Sequence, residues 1–255
     1  MENNPSQKAN KDIVFGTRAI IETIEAGNEI DKILLQKDQG SSETHKALLQ
    51  LARQYQIPIS KVPIFKLNKI TRKNHQGAIA FISAIQYASL DHIISEAFTK
   101  GEAPIVLILD RITDVRNFGA ITRTAECMGV HAVVVPLKNA AQANRDAMKT
   151  SAGALNYLPV CREASLFKAV KFLKESGLQV VACTEQAEAS LFTTTYASPT
   201  AIIMGSEEDG ISKELLRQAD ALVKIPMQGK IASLNVSVAT GMILSEVMRQ
   251  RSVEA

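Results

Sequence analysis

No G-x-G tripeptide occurs anywhere in the 255 residues, so the dinucleotide-binding fingerprint is absent. No apolar run approaches the roughly 20 residues that cross a bilayer as a helix. The polar stretch Met1 to Asp12 lacks the apolar centre of a signal peptide, and a flexible tail is expected there. There is no CxxC pair: Cys127, Cys161 and Cys183 stand far apart, without His-rich neighbours. Such an odd, scattered set points away from a disulfide framework or a metal site and towards reduced thiols, buried as apolar filler, in a cytoplasmic compartment. A large charge excess is missing too; a net charge of +3 does not by itself diagnose a nucleic-acid ligand. The remainder, 46% hydrophobic and 22% charged, describes a globular chain long enough for one large domain or two ordinary ones.

Apolar periodicity divides the chain in two. The first ninety residues read as a small α/β unit, with helices at Thr17–Ala26 and Ser42–Tyr55 and strands at Lys32–Leu35 and Gly77–Ile85. A helix from Leu90 to Lys100, closed by Gly101, connects it to a second unit, and the boundary is expected near residue 100. The divisions expected are a tail over 1–12, a small domain over 13–88, a linker over 89–102 and a larger domain over 103–255. In the larger one, apolar strands at Pro104–Leu109, Ala132–Pro136, Gln179–Cys183, Ala201–Met204 and Leu222–Ile225 alternate with helices at Phe118–Met128, Leu166–Glu175 and Lys213–Gln218, and a long helix runs from Asn235. Continuous apolar strands separated by helices imply a parallel sheet covered on both faces.

Three polar segments each follow one of these strands, where open parallel sheets bind ligands. The first is Asp110-Arg-Ile-Thr-Asp114-Val-Arg-Asn117-Phe-Gly-Ala-Ile-Thr-Arg123-Thr-Ala, the second Ile202-Ile-Met-Gly205-Ser-Glu207-Glu-Asp-Gly210, and the third Ile225-Pro-Met-Gln-Gly229-Lys-Ile-Ala-Ser233-Leu-Asn235-Val-Ser-Val-Ala. The second has P-loop glycine spacing, but Ile211 stands where the phosphate-binding lysine belongs. Glu207, Glu208 and Asp209 would repel phosphate, so a cationic or hydroxyl-rich ligand suits that loop better. Taken singly, Asn117, Ser233 and Asn235 could be helix caps, Glu207 a solvated turn carboxylate, and Arg123 a surface arginine paired with Glu126. Their joint placement after strand ends favours a site.

These segments resemble the three signature motifs of the SpoU, or TrmH-like, RNA ribose methyltransferases of the SPOUT superfamily: N-x-G-A-I-x-R-T-A, M-G-S-E-x-x-G and I-P-M-x-G-x-x-x-S-L-N-V-S-V-A. The resemblance covers roughly residues 103 to 250, including Ser151-Ala-Gly-Ala154. Phe15-Gly-Thr-Arg18 and Asn74-His-Gln-Gly-Ala78 resemble the substrate-binding domain of the bacterial 23S rRNA guanosine 2′-O-methyltransferase branch. Two positions depart from the pattern: the family often has proline where Val115 stands, which would stiffen an expected loop, and glycine where Glu208 stands.

The resemblance implies an α/β SPOUT catalytic domain whose parallel sheet carries a C-terminal trefoil knot, preceded by a small ribosomal-protein-like α/β domain that binds RNA. It implies S-adenosyl-L-methionine as cofactor, with Thr184, Gly205, Ile225 and Leu234 lining its pocket, and a homodimer with the active site near the subunit interface. Asn117, Arg123, Glu207, Ser233 and Asn235 are implied to be catalytic, Arg123 nearest the chemistry. No metal is needed. The apolar face of the last helix (Val236, Ala239, Ile243, Val247) fits either a subunit interface or the internal core. A tRNA ribose methyltransferase and a non-catalytic RNA-binding protein of the same fold are the competing readings.

Acidic residues are missing from one long stretch. Between Thr44 and Leu90 there is no aspartate or glutamate, while Lys46, Arg53, Lys61, Lys66, Lys69, Arg72 and Lys73 fall there. The cluster Lys66, Lys69, Arg72 and Lys73 is expected to contact RNA phosphates, with a solvated face as the alternative. His75 is expected to join it, whereas Phe65 is expected in the core rather than stacked on a base.

Overall fold

The computed structural model describes residues 13–37, 42–196, 199–231 and 233–254. The tail expected over 1–12 lies outside them. The chain forms two compact units that divide between Ala84 and Ile85.

The first unit contains β1 (Ile13–Phe15), α1 (Thr17–Glu25), β2 (Ile30–Gln36), α2 (Glu43–Gln54), β3 (Ile59–Val62), α3 (Ile64–Ile70) and β4 (Ala78–Ile82). Its sheet runs β1-β4-β2-β3, with β2 and β3 parallel and the other pairs antiparallel. Ile33 and Leu35 of β2 share a face, as alternation requires, and pack with Ile20 and Ile24 of α1 and Leu48 and Ala52 of α2. Ser42 caps α2 by accepting from the backbone N–H of His45.

The second unit contains α4 (Leu90–Thr99), β5 (Ile105–Asp110), α5 (Val115–Cys127), β6 (Ala132–Pro136), α6 (Arg145–Thr150), β7 (Val160–Glu163), α7 (Leu166–Glu175), β8 (Gln179–Cys183), β9 (Ala189–Ser190), β10 (Thr200–Gly205), α8 (Lys213–Leu216), β11 (Ala221–Lys224) and α9 (Val236–Glu254). Its strands form one parallel sheet in the order β7-β6-β5-β10-β8-β11-β9. The apolar runs serve two cores because consecutive side chains point to opposite faces. Ile105, Leu107 and Leu109 of β5 enter the core covered by α5 and α9; Val106 and Ile108 enter the one covered by α4, α7 and α8. Val236, Ile243 and Val247 are buried in the first of these cores, with Ala239 packed against it, so that face of α9 is internal. Helix α4 is not a linker: it buries Leu90 and Ile94 in the second core, and the division between units falls ahead of it.

Cys161 is buried and Cys183 half-buried, and burial pushes their thiols up to about 12 and about 11. Cys127, expected to be apolar filler, is instead exposed near the end of α5. Among the described residues no helix is long and apolar enough to cross a membrane.

Candidate active site

Strands β5 and β10 are neighbours in continuous parallel register, Thr200 opposite Ile105 through to Gly205 opposite Asp110. Chain connections diverge there: β5 leads to β6 on one side, and β10 leads through α8 to β11 on the other. The loops leaving such neighbouring strands part and leave a crevice at the carboxyl ends. This arrangement brings the first and second polar segments together although 90 residues separate Asn117 from Glu207.

Helix α5 begins at Val115, and its cap is Asp114, whose Oδ1 accepts from the backbone N–H of Asn117 at 2.8 Å. Asn117 is therefore not the cap, and its side chain is free for other work. Its Nδ2 donates to Glu207 Oε1 at 3.2 Å, and its Oδ1 accepts from Asn235 Nδ2 at 2.9 Å. Asn235 Nδ2 also donates to Glu207 Oε1 at 2.8 Å, and the same oxygen accepts from the Val236 N–H at 3.2 Å. One side chain from each polar segment thus joins a single cluster, with the Val236 N–H beside them. Asn235 does cap α9, its Oδ1 accepting from the Ser237 N–H at 3.0 Å, but its amide reaches the cluster at the same time. The position expected to be a loop, Val115, is the first residue of α5, where proline is well accommodated because that N–H needs no helical partner.

Glycine is required at two places here. A Cβ on Gly205 would lie 2.2 Å from the backbone carbon of Gly210, because the 206–210 turn folds back upon it. A Cβ on Gly119 would meet Thr150 Cβ at 2.7 Å, so the close approach of α5 and α6 depends on its absence.

A cavity of about 480 Å³ opens beside the cluster, within the roughly 300–1,000 Å³ typical of small-molecule sites. Thr184, Gly205, Ile225 and Leu234 all line it, as does Ser233. Met204, Met227, Val236 and Ala239 add apolar wall, while Glu185, Glu207, Glu208 and Asp209 add carboxylates. An apolar cleft edged by carboxylates suits a ligand with an apolar ring system and positive charge. S-adenosylmethionine, with its adenine, sulfonium and ammonium groups, has that chemistry.

Two expected residues stand apart. Arg123 is exposed on α5, carries no hydrogen bond or ion pair among the described residues, and is unpaired with Glu126. Six residues along the helix place it about 9 Å from Asn117 along the axis. Ser233 faces the cavity but takes no part in the hydrogen-bonded cluster.

Residues 104–245 match the model of the SpoU rRNA methylase family, and residues 13–88 match that of the RNA 2′-O ribose methyltransferase substrate-binding domain. The chain belongs to the SpoU methylase family. It is 34% identical over 241 residues to YacO of Bacillus subtilis, a protein named for the TrmH family of tRNA/rRNA methyltransferases, covering 94% of this chain and 96% of that one. It is 32% identical over 255 residues to a Synechocystis protein named as the uncharacterized tRNA/rRNA methyltransferase slr0955, covering 100% of this chain and 66% of the relative. Among solved structures, the SpoU methyltransferase AviRb of Streptomyces viridochromogenes in complex with AdoMet matches at 26% identity and a TM-score of 0.59, over 94% of this chain and 90% of that one. The A. aeolicus TrmH/SpoU tRNA modifying enzyme matches at 27% identity and a TM-score of 0.56, over 64% of this chain and 86% of that one. The SPOUT α/β class and S-adenosylmethionine as methyl donor follow from these likenesses, and the protein is an RNA methyltransferase of this family.

In the substrate-binding unit, Lys66, Lys69, Arg72 and Lys73 are all exposed. Phe65, expected in the core, is 54% exposed, because α3 buries only Leu67. Lys69 Nζ lies 5.9 Å from the Phe65 ring centroid, and Lys73 Nζ 5.7 Å from that of Phe15. His75 corrects the expectation in the other direction. It is buried, its Nδ1 accepts from the Gly77 N–H at 3.0 Å, and its Nε2 lies 2.9 Å from Asn68 Oδ1. With both nitrogens engaged, the ring secures the turn before β4 and offers no face to RNA.

Proposed function

We propose that the protein methylates the ribose 2′-hydroxyl of a guanosine in 23S rRNA, working in the cytoplasm as a homodimer. The observation that carries the rRNA assignment is the substrate-binding domain match over 13–88, together with the exposed Lys66, Lys69, Arg72 and Lys73 edge within it. A tRNA substrate is the second reading, supported by the likeness to the A. aeolicus tRNA modifying enzyme.

When bound, S-adenosylmethionine supplies an electrophilic methyl group. The chain's own task is then alignment and charge management. Thr184, Gly205, Ile225 and Leu234 hold the donor by backbone and apolar contact. Glu207, with three donors on its Oε1, braces Asn117 and Asn235 in one orientation, so that the second N–H and second lone pair of the Asn117 amide, together with Ser233, can position the ribose. Arg123, exposed and without a partner among the described residues, grips the neighbouring phosphate through its planar fork and stabilises negative charge on the 2′-oxygen as the hydroxyl proton passes to solvent water. A guanidinium, with an intrinsic pKa of roughly 12.5 or above, serves better as that charge stabiliser than as the base itself.

Mapping ribose methylation across rRNA and tRNA, in cells with and without the gene, tests the substrate. Loss of one 2′-O-methylguanosine from 23S rRNA is the expected result. Loss confined to a tRNA position supports the second reading and overturns the first.

A further inference from the structure

One of the few non-glycine residues in left-handed backbone stands at the edge of the cavity. Arg111 follows the last residue of β5 with a φ of 57°, a region that a residue bearing a Cβ enters at a cost and keeps only where its surroundings hold it. Here they do. The Arg111 Nη1 donates to Asp209 Oδ2 at 3.1 Å, Nη2 donates to the Gly210 carbonyl at 3.1 Å, and Nε donates to Asp110 Oδ1 at 3.2 Å. The other oxygen of buried Asp110 accepts from the Ser212 N–H at 2.7 Å. The far limb of the 205–212 turn is thereby tied to the end of β5.

The near limb is tied elsewhere, by Glu207 to Asn117, Asn235 and Val236. Between these two fastenings the turn lines the cavity from Gly205 to Ile211. Its run of three carboxylates, Glu207, Glu208 and Asp209, repels itself, and Arg111 meets it with a positive charge at Asp209. An exposed ion pair alone contributes little. This one differs because the Arg111 side chain is only 31% exposed and its fork spans a carboxylate and a backbone carbonyl together.

We propose that Arg111 is a positioning residue for methyl transfer. By clamping Asp209 and Gly210 it fixes the turn that presents Glu207 to Asn117 and Asn235 and that forms one wall of the donor cavity. The proposal rests on the reading of that cavity as the S-adenosylmethionine site.

Arg111→Gly is the informative variant, because glycine removes the fork and also relieves the left-handed backbone. Its melting temperature is expected to change little, because relief of the left-handed backbone offsets part of what the lost bonds contributed. Its affinity for S-adenosylmethionine, measured by calorimetry, is expected to weaken about tenfold, the scale of one charge-assisted hydrogen bond. Arg111→Lys should recover only part of that affinity, since a point charge cannot span both acceptors. Asp209→Ala should weaken binding in the wild-type background but add little to Arg111→Gly, because the bond between the two residues is already absent there. Leu234→Arg, which places bulk and positive charge in the cavity, tests the reading underneath. Normal binding by Arg111→Gly beside impaired binding by Leu234→Arg overturns the positioning role alone. Normal binding by both overturns the cavity assignment and takes the positioning role with it. A fall in melting temperature that accounts for the weaker binding of Arg111→Gly also overturns the proposal, since the residue is then merely structural.

Discussion

Replacing Arg123 by alanine is expected to lower turnover by about 10²–10³-fold while leaving S-adenosylmethionine affinity unchanged, the usual cost of one preorganised charge-stabilising donor. The separation of the two effects follows from position. Arg123 is exposed on α5, outside the cavity lining and outside the Asn117–Glu207–Asn235 cluster. It is available to RNA and does not line the donor cavity. Removing an exposed side chain without partners should also leave folding almost untouched. Arg123→Lys should restore little, because a compact ammonium cannot grip a phosphate through two parallel hydrogen bonds. Single-turnover methylation with saturating RNA, alongside cofactor calorimetry, measures both quantities. Near-normal turnover by the alanine variant would return Arg123 to the ordinary surface arginines.

The second large effect belongs to the substrate-binding unit. Neutralising Lys69, Arg72 and Lys73 together should weaken RNA binding and flatten its dependence on salt, by about 0.7–0.9 in log–log slope for each phosphate released from the protein. If all three side chains meet phosphates, the slope falls by about 2–3. Cofactor affinity should not change. Lys69 and Lys73 also lie over the Phe65 and Phe15 rings, but exposed cation–π interactions are worth only about 0.5–1 kcal/mol each. Superimposable salt titrations of variant and wild type would make the tract a soluble face and send the RNA to another surface.

Much of the catalytic unit was legible because its strands are buried on both sides. Pro104–Leu109 and Ala201–Met204 read as uninterrupted apolar runs, and both are central strands of the seven-stranded sheet. Of the three polar segments that follow such strands, the second and third line the cavity, and the first joins them through Asn117. The elements that escaped are short or half-polar. β1 has three residues, β9 has two, and β3 contributes Ile59–Val62 with no fully buried position. Cap identity was ambiguous because Asp114 and Asn117 are both good caps and only the backbone decides between them. His75 and Phe65 exchanged their expected places for a tertiary reason: Asn68 lies seven residues from His75 and completes its burial, while α3 turns Leu67 inward rather than Phe65. Arg111 carried no local signal, since its partners Asp209 and Gly210 lie 98 and 99 residues away.

The central claim, methylation of a ribose oxygen, stands most directly on where the transferred methyl group ends. Purified protein incubated with methyl-labelled S-adenosylmethionine and ribosomal RNA, followed by digestion to nucleosides, should place the label on a ribose 2′-oxygen, with binding of the donor detectable by calorimetry in the absence of RNA. Label recovered on a base, or no donor binding at millimolar concentration, would contradict it.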